Sequence, residues 1–82
     1  MDFVTYSVEL VQSDGGHGQR TGTRILCALV NSDRFSEETL RVIGTMSDVV
    51  ERLIEMLNWS NHHEQNIRKA AAEIITKLVR TN

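Results

Sequence analysis

Apolar residues recur along this chain at helical spacing. Met46, Val49, Val50, Leu53, Ile54 and Leu57 form an unbroken i, i+3, i+4, i+7 series, the pattern of an amphipathic α-helix. Ile67, Ile74, Ile75, Leu78 and Val79 make a second stripe, with Ala70, Ala71 and Ala72 set between them. Small residues there let a neighbouring helix approach closely. Ile25, Leu26, Leu29 and Val30 predict a further helix that ends near Asn31, with Gly22 weakening its start. Leu40 and Ile43 give a short apolar face that closes at Gly44.

The first residues obey two periods at once. Val4, Tyr6, Val8 and Leu10 alternate with polar residues as in a half-buried strand, whereas Val4, Val8 and Val11 fit one side of a helix. The stretch from Gln12 to Gly18 contains Ser-Asp-Gly-Gly and reads as a loop. Ser36 is expected to cap the short helix, with Glu37 and Glu38 in its first turn. Thr45 and Asp48 suit a variant capping box for the next helix, and Ser60 or Asn61 a cap for the last. Glu37–Arg41, Asp48–Arg52, Glu64–Arg68 and Glu73–Lys77 each place an acid four residues before a base. That order supports a helix.

The halves of the chain resemble each other. Val4, Ser7, Val8 and Val11 overlay Val50, Leu53, Ile54 and Leu57 at a separation of 46 residues. Ile25, Leu26 and Leu29 overlay Ile74, Ile75 and Leu78 at a separation of 49, a longer second loop absorbing the difference. The overlay puts residues 3–11 where the second half has a helix, so a helix is expected there and the strand pattern is overruled. A period near 46 suits armadillo and HEAT units, which run to roughly 40–47 residues.

Residues 44–79 resemble an armadillo repeat: Gly44, the apolar series through Leu57, then Ile67-Arg68, Ala71, Ile74-Ile75 and Leu78 on the third helix. Residues 3–30 resemble the last two helices of a preceding, truncated repeat, and 36–80 a complete one. The wording Trp59-Ser-Asn-His-His-Glu-Gln-Asn66 is similar to plant armadillo-type proteins of undefined function. The resemblance implies an all-α fold, a right-handed α–α superhelix fragment of about one and two-thirds repeats within a single unit, 1–82. It also implies a protein partner. Peptide-holding armadillo proteins often carry an asparagine one residue before the Leu78 position, where this chain has Lys77, and Ala28 in the earlier unit. An ammonium donates but cannot accept, so any groove here would favour an acidic ligand at Lys77.

Composition narrows the remaining choices. The chain has 82 residues, 40% of them hydrophobic but only 5% aromatic, so its core must be aliphatic. A net charge of −2 gives no reason to expect a nucleic acid as partner. Charge is uneven, with three bases and six acids in residues 32–58 against four bases and two acids in 59–82. Cys27, the lone cysteine, lies in an apolar run and reads as a buried, inert thiol. That suits a reducing, intracellular and cytoplasmic setting. No apolar run is long enough to span a bilayer, and no membrane partner is expected.

Catalytic chemistry finds little support. Gly15-Gly16-His17-Gly18-Gln19-Arg20-Thr21-Gly22 could serve as a phosphate loop between a strand and a helix, yet it lacks the spacing and lysine of a Walker loop. A nucleotide-binding protein using residues 15–22 is therefore the weakest alternative. His17, His62, His63 and Glu64 carry metal-capable groups, but adjacent histidines on a helix diverge by about 100°, so no metal, cofactor or catalytic residue is expected. Trp59, Arg68 and Lys77 are the candidate partner-binding residues, Trp59 as an aromatic anchor. The expected function is non-catalytic protein–protein interaction or scaffolding. The alternative is a self-associating structural piece without a heterologous ligand. Stacked repeats usually need at least ~3 units, so apolar faces should remain open at both ends: Val4, Val8 and Val11 at one, Ile75 and Val79 at the other.

Overall fold

The computed structural model describes residues 2–59 and 64–81, and every regular element among them is helical. The helices are α1 (Phe3–Gln12), α2 (Gly16–Val30), α3 (Ser36–Gly44), α4 (Ser47–Met56) and α5 (Gln65–Thr81).

At the N-terminus the helical period wins over the alternating one. Asp2 caps α1, its carboxylate accepting the Thr5 backbone N–H at 2.7 Å. That bond holds the Asp2 carboxyl below its ordinary range. Val4, Ser7, Val8 and Val11 then share one buried side. A strand would have put Val4 and Val11 on opposite faces.

Helix α2 begins about two turns earlier than expected, leaving only residues 13–15 as connector. Gly16, Gly18 and Gly22 are helical, and Gly22 explains why. A Cβ there would lie 2.7 Å from the Ser7 carbonyl oxygen and 2.8 Å from both Leu10 Cβ and Val11 N. The helices α1 and α2 cross where both carry small residues, Ser7 and Gly22. The Ser7 hydroxyl satisfies itself on the Val4 carbonyl at 2.9 Å. What reads as a weak helix position is a contact requirement.

Helix boundaries differ from the expected caps by a residue or two. Phe35, not Ser36, is the N-cap of α3, and Met46 that of α4. The Thr45 hydroxyl turns back to the Val42 carbonyl at 2.8 Å, so the expected capping box does not form. Ser60 and Asn61 lie outside the described residues.

The helices pair in a regular way. α1 packs on α2, α4 on α5, and each helix of the first hairpin lies beside its counterpart in the second, α1 by α4 and α2 by α5. Helix α3 contacts all four others. Leu26, Ile43, Leu53, Met56, Ile67 and Ile74 are the largest side chains fully enclosed between them. The expectation of an open face at Val4, Val8 and Val11 is overturned: these valines are buried. Their helix has the second hairpin against it, and Val8 and Val11 belong to the core the two hairpins share. Conversely, Ile54 and Leu57, expected within the covered face of α4, are exposed.

Candidate functional site

Between the hairpins runs a seam of polar links. Gln12 donates from Nε2 to Asp48 Oδ2 at 2.7 Å. Arg52 donates to the Ser13 carbonyl at 3.1 Å and lies 3.8 Å from Asp14. Arg20 meets Glu64 at 3.0 Å. The Cys27 thiol donates to Glu73 at 3.2 Å, and Lys77 Nζ to the Val30 carbonyl at 3.5 Å. Asp48, Arg52, Glu64, Glu73 and Lys77, expected to pair within their own helices, therefore reach the first hairpin and its connector instead. Among the described residues only Glu37–Arg41 of the expected pairs forms as an i, i+4 pair, at 3.7 Å.

This seam decides what two sequence-selected residues touch. Lys77 sets its ammonium against the C-terminal end of α2, where the helix dipole favours a cation. Cys27 is half-buried rather than enclosed; burial and then the Glu73 carboxylate push its thiol up to about 11. It stays protonated at neutral pH, as a thiol without nucleophilic character does. Trp59 follows α4 and packs half-buried against the core. Arg68 is half-buried on α5. Arg68 and Lys77, nine residues apart on α5, point to opposite sides of that helix and do not converge.

The surface opposite the seam was expected only in part, at Ile75 and Val79 of α5; its α4 residues Ile54 and Leu57 were not. Two residues along a helix turn the side-chain direction by about 200°. Val50 and Ile54 follow Asp48 and Arg52 by two; Ile75 and Val79 follow Glu73 and Lys77 by two. Since the earlier members of these pairs touch the first hairpin, the later ones point away from it. Ile54, Leu57 and Val79 are exposed, and Val50 and Ile75 half-buried. Arg68, seven residues before Ile75, is on the same side of α5.

The first hairpin shows the same positions covered. Val8 is 3% exposed while Ile54, its equivalent, is 47% exposed. Val30 is 1% exposed and Val79, its equivalent at the 49-residue separation, 68%. The opposite faces obey the reverse rule. Val49 and Ile74 are buried in the core shared by the two hairpins, but their equivalents Phe3 and Ile25 are exposed and half-buried. Internal similarity could have located this surface, because Val8–Ile54, Val11–Leu57 and Val30–Val79 each have one buried and one exposed member.

Phe3 also borders a cleft of about 280 Å³ with Asp2, Val4, Phe35 and Glu38. Arg34 lies over the Phe35 ring, 5.4 Å from its centroid. Among the described residues no group of three or more His, Cys, Asp or Glu is placed to hold a metal ion. His62 and His63 lie outside them. The strand–loop–helix arrangement behind the phosphate-loop alternative is not present, since residues 3–12 and 16–30 are helical. No described helix is long and apolar enough to cross a membrane. Comparison with known protein families, curated proteins and solved structures found no match.

Proposed function

We propose that the chain is a non-catalytic protein–protein interaction module of the armadillo-like helical-repeat kind, and that it binds through the outer apolar face of α4 and α5. In this reading residues 3–30 are the last two helices of one repeat and 36–80 the next, wound as part of a right-handed superhelix. The observation that carries it is the pairing of Val8 with Ile54 and of Val30 with Val79: one position of each pair is covered by a neighbouring hairpin, the other is open. Each repeat of a stack buries its faces against neighbours, so an uncovered end face is a binding surface for protein. Lys77 has its partner within the fold, which leaves Arg68 as the charged candidate beside that face.

The test is the double variant Ile54→Arg, Val79→Arg, followed by circular dichroism, thermal melting and binding of a hydrophobic-surface dye. A partner surface gives unchanged helicity, an unchanged or raised melting temperature, and dye fluorescence reduced severalfold. Loss of helicity would make the face part of the protein's own core and overturn the reading.

A further inference from the structure

The geometry points to a second copy of this chain as the occupant of the α4–α5 face, docked head to tail through the outer face of its α1–α2 hairpin. This rests on the interaction-module reading and supplies its partner. Within one molecule, Val49, Met56 and Ile74 of α4 and α5 are buried in the core shared with Val8, Val11, Leu26 and Val30 of the first hairpin, and Met56 accepts the Thr23 hydroxyl of α2 at 3.1 Å. The equivalents of Val49, Met56 and Ile74 at separations of 46 and 49 are Phe3, Leu10 and Ile25. Phe3 is 71% exposed and the other two are half-buried. Leu10 and Ile25 precede the seam residues Gln12 and Cys27 by two, so they point away from the second hairpin. One end of the molecule therefore carries the apolar side chains that, in its own interior, cover the face left open at the other end.

A polar link repeats in the same register. Gln12 donates its amide to Asp48 across the internal seam. Adding 46 to the donor and subtracting 46 from the acceptor gives Asn58 and Asp2, again an amide and a carboxylate, both exposed. Stacked at the internal spacing, Asn58 of one copy reaches Asp2 of the next. Such a contact uses two different faces, so it does not close on itself after two copies and continues into longer assemblies.

Two single-face variants test this by sedimentation velocity over ~5–500 µM. Ile54→Arg blocks the α4–α5 face, and Leu10→Arg blocks the α1–α2 face. Wild type should grow in size with concentration, and each variant alone should stay monomeric with unchanged circular dichroism. Their mixture should form a one-to-one dimer, since each retains the face the other lacks. Asn58→Asp, which sets two carboxylates together, should weaken wild-type assembly about two- to fivefold. If Leu10→Arg unfolds, Phe3→Arg replaces it. Wild type remaining monomeric throughout, or a mixture that fails to dimerise while both variants are folded, overturns the head-to-tail contact. In that event, the dye experiment separately decides whether the face still serves a different protein.

Discussion

Val8 and Ile54 occupy the same position in two like hairpins, and only Val8 is covered. The difference is made by neighbours, because both residues are aliphatic, β-branched and helical. Truncation should therefore separate them. Val8→Ala is expected to lower unfolding free energy by about 1–3 kcal/mol, from lost apolar burial and a residual cavity. Ile54→Ala, although it removes more atoms, should change it by less than about 1 kcal/mol. Urea unfolding at a concentration below that of any self-association checks both values.

Gly22→Ala sets two effects against each other. Alanine gains about 1 kcal/mol over glycine in a helix interior. Its Cβ, however, meets backbone and Leu10 Cβ of α1 at 2.7–2.8 Å, and forced separation of packed helices typically costs about 1–3 kcal/mol. The clash involves backbone atoms that cannot swing aside, so the net effect is destabilising. A raised melting temperature in Gly22→Ala would mean that α1 and α2 do not cross at this point.

Cys27 provides a pH test. Its thiol is raised from 9.0 to about 11, so the fold favours the neutral form. That contribution is fully present below pH 9 and is lost as pH rises through about 11. Between pH 7 and 8.5 the native thiol should alkylate with iodoacetamide about 100-fold more slowly than the urea-unfolded chain, two pH units of thiolate population. Glu73→Gln should recover only part of that factor, because burial, the first cause, remains. Equal rates in native and unfolded protein would remove Cys27 from the α2–α5 seam.

Arg20→Met tests the seam near the start of α5. Glu64 is 15% exposed at its side chain, and its Oε2 has no hydrogen-bond partner among the described residues. Removing Arg20 takes away the ion-pair partner of its other oxygen. Arg20 is itself about a third exposed, so the loss should be about 1–2 kcal/mol rather than that of an enclosed pair. Adding Glu64→Gln should restore part of it, a coupling readable in a double-mutant cycle.

Much of this arrangement was legible before any coordinates. The periods of α4 and α5 follow from apolar spacing, and helix rather than strand at residues 3–11 from overlaying the two halves of the chain. The rotation of α4 did not. Its series from Met46 to Leu57 is wide enough to serve two faces, and spacing cannot say which stripe meets a neighbour. Gly22 was misread because helix propensity registers a missing side chain as weakness, while the crossing helix that requires it is remote in sequence. The same limit applies to Asp48, Arg52, Glu73 and Lys77. Local pairing rules joined them within helices, whereas the packed structure offers each a partner on the first hairpin or its connector. Two of the three candidate binding residues were chosen for exposed chemistry that the fold uses internally: Trp59 packs on the core and Lys77 caps α2.

The most direct measurement is a methyl-resolved NMR titration of the wild-type chain against its own concentration. Signals of Val50, Ile54, Leu57, Ile75 and Val79 should shift and broaden together with those of Leu10 and Ile25, while Val8, Val11 and Leu26 hold still. Shifts confined to the buried valines, or no concentration dependence at any methyl, would contradict the account.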